Sequence, residues 1–307
     1  MVTETDSLNR NLDRFRLPNQ AGTKCHFSHF RPVLLAVIFV ATLALSSCVD
    51  LGEITQLASS SQAVGNSFKQ IADEALNSCK TANTFIPAGQ PALDCDTYAK
   101  TEPSLIKVND ALFDYISSLG KLAGANTAKK DALSKISDDL KQADKNISQE
   151  NLDRASKAGG LADVVTDVIL SGYQQHKVAE IIRQQNDSVQ AVAKFLAEYA
   201  ADKCEKALAE EKLLQGNYFQ NQLDKYSAQE PLAAYLLRAH AADSATSIDT
   251  KIQAVEKYKQ AVATVAGAHQ KLFDQRNKWD TQQLVKDLGP EIQQLGDAAA
   301  SMIKAFK

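Results

Sequence analysis

An uncharged apolar run near the amino terminus decides which part of this chain is available for folding. The run extends from Val33 to Leu45, follows the basic residue Arg31 and is succeeded by two serines. Its length of about thirteen residues is typical of a secretory signal and falls below the roughly 18 that indicate a membrane-spanning helix. The pattern predicts that residues 1–47 form an export signal with a long n-region and are removed.

The residues that close this run have a familiar pattern. An aliphatic residue, two small residues and a cysteine resemble the lipobox of bacterial lipoproteins, in the order Leu45, Ser46, Ser47 and Cys48. The resemblance implies that Cys48 is lipidated and becomes the first residue of the mature chain, anchored in membrane lipid by two or three acyl chains. The alternative is an ordinary signal peptide with a chance cysteine.

The residue after the lipobox bears on localisation and domain organisation. Because Val49, and not aspartate, follows the cysteine, the resemblance implies the outer membrane, with the protein facing the periplasm. We therefore expect residues 48–52 to be a lipidated tether and residues 53–307 to be a helical bundle.

The composition of the remaining part, about 260 residues, limits the fold and function classes. Hydrophobic residues make up 44% of the chain, which is ample for a sizeable core. The formal net charge is only −3, whereas a nucleic-acid binder would normally carry a basic patch. Strong helix formers dominate, Pro and Gly are few, and no strand-like alternation occurs, so the predicted fold class is all-α.

Apolar residues recur at steps of three and four, the spacing of one helix face. The first such stripe runs from Ile54 to Ala75, and a second helix is predicted to start near Pro103. Proline and glycine residues between them mark a loop over 81–94. Farther along, a stripe runs from Leu161 to Leu214, interrupted by Gly172 but by no proline; if unbroken, it would form one long helix.

The carboxyl-terminal part continues this pattern. Two shorter helices are predicted, from Pro231 to Ala242 and from Ile248 to Trp279. The last stripe stays in phase across Pro290, which predicts a kinked helix. Together the segments predict an elongated antiparallel bundle of five to seven helices with coiled-coil-like packing.

Three cysteines remain in the mature chain beyond Cys48. A bridge between Cys79 and Cys95 would close a loop of about 15 residues and contribute roughly 3 kcal/mol. Cys204 is then an odd, buried thiol. Two alternatives stay open: all three are small buried hydrophobes, or Cys204 pairs with one of the others.

No residue pattern indicates catalysis, a cofactor or a metal site. The mature histidines, His176, His240 and His269, lie far apart without ligand spacing, and His269 stands on an apolar stripe, where a satisfied core residue is expected. Nucleophile-elbow and phosphate-loop spacings are absent. The acidic pair Glu210–Glu211 is expected on a helix surface, as is the pair Asp138–Asp139.

The predicted function is therefore a lipid-anchored envelope protein that binds, scaffolds or spaces. Its expected partners are membrane lipid through Cys48, an envelope protein or the cell wall, and a second copy of the chain. The alternative is a membrane-active protein that exposes the apolar segment 161–170, although Asp163 and Asp167 interrupt it. A helix buried in the bundle centre is the competing interpretation of this segment.

Overall fold

The computed structural model describes residues 51–123, 136–168 and 174–306, and within these ranges every regular element is helical, so the all-α prediction is confirmed. If the unbroken segment formed by α5, a π turn and α6 is taken as one, seven helices pack against each other in the described part. The elements are α1 (Gly52–Asn83), α2 (Asp96–Ala123), α3 (Ile136–Ala143), α4 (Gln149–Val168), α5 (Gln174–Phe195), the π turn (Leu196–Ala200), α6 (Ala201–Tyr226), α7 (Pro231–Gln275) and α8 (Thr281–Ala305).

Helices α1 and α2 form a close antiparallel pair. The Thr55 hydroxyl donates to the carbonyl of Gly120 at 3.1 Å near one end, and Asn109 Nδ2 donates to the carbonyl of Gly65 at 3.1 Å near the middle. A Cβ atom at Gly65 would lie 2.6 Å from the Phe113 ring. Glycine is therefore what lets the two backbones approach this closely.

A disulfide and a capping amide hold the α1–α2 loop. Cys79 and Cys95 are bonded, with their Cα atoms 5.7 Å apart, as predicted. The side-chain amide of Asn83 donates to the carbonyl of Leu93 (3.2 Å) and accepts from its N–H (2.7 Å). Gly89 adopts φ of +91°, a conformation that favours glycine. The loop conformation is thus fixed from within the protein.

Helix α7 lies antiparallel beside the α5–π–α6 segment. Gln190 Nε2 donates to the carbonyl of Ala266 at 2.8 Å, and Lys212 pairs with Asp249 at 2.5 Å. With 45 residues, α7 spans about 67 Å at 1.5 Å per residue. Helices α1 and α7 form the middle of the described bundle, where Phe68 stacks on Tyr258 with ring centroids 4.8 Å apart.

The π turn compensates for a drifting hydrophobic stripe. Five buried residues follow one another at steps of four: Val192, Leu196, Ala200, Cys204 and Leu208. In a regular α-helix each step of four overshoots a full turn by about 40°, so the stripe would rotate away from its neighbours. The wider π turn accommodates more residues per turn and so keeps the stripe buried.

The stripe from Leu161 to Leu214 is not one unbroken helix. Helix α4 runs antiparallel to α5, because Arg154 Nη1 lies 2.9 Å from Glu198 Oε2, although the two residues are 44 apart in sequence. One straight helix would separate them by about 66 Å. Helices α4 and α5 are therefore two separate, antiparallel helices, and Gly172 itself lies outside the described residues.

The predicted break near residues 243–247 is also wrong, because α7 continues through it. Four of these five residues are weaker helix formers than alanine by propensity, but the hydroxyl of Ser244 donates to Gln215 Oε1 on α6 at 2.6 Å. Packing against a neighbouring helix overrides local propensity here. Helix α8 is continuous through Pro290, and Leu288 and Leu295 on either side are both buried, in agreement with the predicted face.

Candidate functional site

A chain of hydrogen bonds in the interior links α2, α7 and α5. The Tyr115 hydroxyl lies 2.8 Å from Nε2 of His269, and Nδ1 of His269 lies 3.0 Å from Oδ1 of Asn186. The amide of Asn186 donates to Gln270 Oε1 at 2.8 Å. Because Asn186 Oδ1 is an acceptor, the proton of the neutral imidazole is assigned to Nδ1, and Tyr115 donates to Nε2.

This chain of hydrogen bonds is a structural element and not a reaction centre. His269 is 0% exposed, and burial lowers its pKa to about 3, so it stays neutral at neutral pH. Burial likewise raises the pKa of the Tyr115 hydroxyl. Both ring nitrogens of His269 are occupied and no solvent reaches them. The prediction that His269 is a satisfied core residue is confirmed.

His240 is not part of this chain of hydrogen bonds. His240 lies on α7, where its ring contacts the edge of Phe219 with centroids 5.4 Å apart. The side chain of His176 lies outside the described residues. Across the described ranges, no group of three or more His, Cys, Asp or Glu side chains is placed to hold a metal ion.

Two further sequence candidates are buried. Glu211 is 7% exposed, so its expected surface position is wrong, whereas Asp138 and Asp139 are exposed as expected. Burial raises the pKa of Glu211. Cys204 is a free, buried cysteine whose pKa burial raises to about 12, which keeps it as an unreactive thiol.

Contacts between helices define the two ends of the described bundle. Helix α1 begins at Gly52, and its first turn lies beside the carboxyl-terminal end of α2. The loop after α1 places the Phe85 ring 5.4 Å from the ring of Tyr218 on α6. The 32 residues of α1 separate these points by about 48 Å. We call the Tyr218 end the distal end.

The α6–α7 hairpin extends beyond the Phe85 contact at the distal end. From Tyr218 to the end of α6 at Tyr226 it adds about 12 Å. In the described stretch from 220 to 239, Ala234 is the only buried residue. This part of the hairpin therefore has little cover from the rest of the bundle.

Three large apolar side chains lie exposed close together on the α7 arm of this hairpin. Leu232, Tyr235 and Leu236 are 73%, 68% and 59% exposed. Their spacing of three and four residues places them on one helix face. We call these three residues the distal stripe. Single exposed apolar residues are ordinary, but an adjacent group of this kind is typical of an interaction site.

The distal stripe is not predicted from the sequence. Its residues follow Pro231 with the spacing of a short amphipathic helix, and such spacing ordinarily indicates a buried face. Only the position of the hairpin beyond its neighbours distinguishes an exposed stripe from a buried one.

Two sequence predictions fall mainly on other parts of the chain. The lipobox, comprising Leu45, Ser46, Ser47 and Cys48, lies outside the described residues. In the apolar segment 161–170, Leu161 is fully buried and Asp163 is exposed, and the side chains of 164–170 lie outside the described set. Among the described helices, none combines the length and apolarity needed to cross a membrane.

Comparison of this chain with protein-family models, with curated proteins and with solved structures finds no match.

Proposed function

We propose that this protein is a lipid-anchored helical spacer of the cell envelope that presents its distal end to a protein partner. The single observation that carries the proposal is the distal stripe, which lies at the opposite end of the bundle from the start of α1. Acylated Cys48 would stand only four residues before α1. The tether would then hold one end at the outer membrane and direct the other into the periplasm.

The length of the bundle supports a role in holding a partner at a distance from the membrane. Helix α1 and the hairpin extension together reach about 60 Å from the tethered end. A tether confines the protein to a surface, which raises its effective concentration toward a partner on or near that membrane. The distal stripe supplies the apolar contact area, and its small extent suits a partner that is exchanged.

Site-specific photo-crosslinking in intact cells tests the binding end. A photo-crosslinking phenylalanine derivative replaces Tyr235 in one strain and Val285 on α8, which is 48% exposed, in a control strain. We expect a discrete protein adduct from position 235 and none from position 285. Equal or absent adducts at both positions would contradict a distal binding surface.

A paired substitution links the adduct to the stripe. Leu232→Ser and Leu236→Ser, made together with the crosslinker at position 235, are expected to abolish the adduct. Because both leucines are largely exposed, the free energy of unfolding should change by only about 0.5 kcal/mol. Loss of the adduct without loss of stability identifies a contact surface, whereas an unchanged adduct argues against it.

Anchoring is tested separately. Intact mass of the membrane-extracted protein should show a chain that begins at Cys48 and carries acyl groups, and Cys48→Ala should release the protein from the membrane fraction. The competing membrane-active function predicts leakage of dye-loaded liposomes on addition of the protein. Leakage would favour that function, and intact liposomes count against it.

A further inference from the structure

A groove beside the distal hairpin is the second unusual surface of this molecule. It lies between the α1–α2 loop and α6 and has a volume of about 620 Å³, within the range of small-ligand sites. None of the residues that line it is charged, although charged residues form 23% of the chain. Its polar side chains are mostly carboxamides, contributed by Gln90, Asn217, Gln220, Asn221 and Gln222.

The wall of this groove is held in place without a ligand. The disulfide Cys79–Cys95 closes the base of the loop, and the two hydrogen bonds between Asn83 and Leu93 fix its course. The Phe85 ring then rests on Tyr218 with centroids 5.4 Å apart. A site whose walls are already ordered loses little conformational entropy when a ligand enters.

The lining selects a class of ligand by its chemistry. A carboxamide carries two N–H donors and a carbonyl acceptor, so the groove can pair with both hydroxyl and acetamido groups even though Gln220 Nε2 already donates to Asp224 at 2.7 Å. The absence of lining cations gives no counter-charge for phosphate, sulfate or carboxylate groups. The aromatic ring of Tyr218, which is 40% exposed, adds an apolar face with a polar tip. An uncharged, hydroxyl-rich ligand satisfies all three properties.

We infer that the groove binds an uncharged chain of N-acetylated amino sugars; in the glycan strands of a bacterial cell wall such a sugar alternates with one that bears a lactyl group, and the lactyl groups would have to lie outside the groove. This inference takes its choice of glycan from the proposed envelope location, but the binding itself needs no lipid anchor. The groove would hold the sugar rings against Tyr218, and the carboxamides of Asn217 and Asn221 would pair with the acetamido and hydroxyl groups. The distal stripe stays free for a protein contact.

Titration calorimetry with a β-1,4-linked N-acetylglucosamine tetramer tests the inference on the detergent-extracted protein. We expect saturable binding with a Kd of about 1 mM or tighter. A sulfated, polyanionic oligosaccharide of similar length should give no binding, because nothing in the lining compensates its charge. No detectable heat with the neutral tetramer at about 10 mM would overturn the inference.

Substitutions in the groove test whether the tetramer binds there. Tyr218→Ala and Asn217→Asp should each weaken binding of the tetramer by about tenfold or more. The control Gln294→Ala alters a carboxamide in a different surface groove, between α7 and α8, and should leave binding unchanged. Asn217→Asp keeps the side-chain size and leaves the Phe85–Tyr218 contact in place, so it tests the groove even if Tyr218→Ala disturbs the loop.

Other outcomes are equally decisive. Binding that survives both groove variants would refute this location, and binding of an uncharged extended peptide in place of the sugar would refute the ligand class. Failure of glycan binding would leave the tether and the crosslinking result untouched. Conversely, glycan binding by a Cys48→Ala protein would support the groove independently of the anchor.

Discussion

Replacing Gly65 by alanine should destabilise the protein, although alanine is the better helix former. Gly65 lies in the middle of α1, and a Cβ atom there would stand 2.6 Å from Cγ and 2.8 Å from Cβ of Phe113 on α2. The Phe113 Cβ is attached directly to its helix backbone and cannot rotate away. The two helices must therefore separate at this level.

The expected magnitude follows from three contributions. Overpacking a tight interface costs about 1–3 kcal/mol. Separation of the helices also strains the bond from Asn109 to the Gly65 carbonyl, which contributes about 1 kcal/mol. The higher helix propensity of alanine offsets about 1 kcal/mol of this loss in the free energy of unfolding. We expect a net loss of about 2 kcal/mol, or a decrease in Tm of about 4–8 °C for a domain of this size.

A matched control separates packing from propensity. Gly267 lies on the solvent face of α7, and a Cβ atom there would meet nothing within 4 Å. Gly267→Ala should therefore stabilise the protein by about 0.5–1 kcal/mol. Urea unfolding followed by circular dichroism measures both variants. The same sign of change for both would refute the argument that Gly65 sets the α1–α2 distance.

The remaining predictions concern the buried histidine and the disulfide. The folded pKa of His269 is about 3 and the unfolded value about 6.5, so only the unfolded chain binds its proton between these values. The contribution of His269 to the free energy of unfolding is thus complete above pH 6.5 and falls by about 1.4 kcal/mol per pH unit as the pH decreases toward 3. In the His269→Gln variant this part of the pH dependence should be absent, which urea unfolding midpoints at several pH values measure. An unchanged slope would contradict the burial of His269. Removing the bridge by Cys79→Ser with Cys95→Ser should cost about 3 kcal/mol of unfolding free energy. Denaturant titration checks this, and a loss below about 1 kcal/mol would show that Asn83 and the loop packing suffice.

Periodicity predicted the faces of the helices better than their ends. Phe68, on the stripe from Ile54 to Ala75, and His269, on a later stripe, are both buried, since one stripe per helix must face a neighbour. The Cys79–Cys95 bridge was also predictable, because the proline-containing loop brings the two ends of consecutive helices together. These features depend on residues that are near one another in sequence or share one helix face.

The errors arise where distant residues decide the outcome. Apolar spacing continues from α4 into α5, so the stripe alone could not show that these two helices run antiparallel. Residues 243–247 read as a break, and contact with α6 keeps them helical. Glu211 was predicted to lie on the surface because the sequence does not show which residues of other helices pack against it. The distal stripe has the same spacing as a buried one, and only the length of the hairpin relative to the other helices exposes it.

The π turn over Leu196–Ala200 has a consequence for how this chain can vary in length. Deleting a single residue from it would restore an unbroken α-helix and leave everything downstream close to its present rotation about the helix axis, because the wide turn already absorbs one extra residue. The same deletion within α5, with the π turn kept, would turn the downstream helix by about 100° and carry Tyr235 toward a different side of the molecule. The π turn is therefore a position at which this long segment can lose one residue and still present the same face of α6 to α1 and α7.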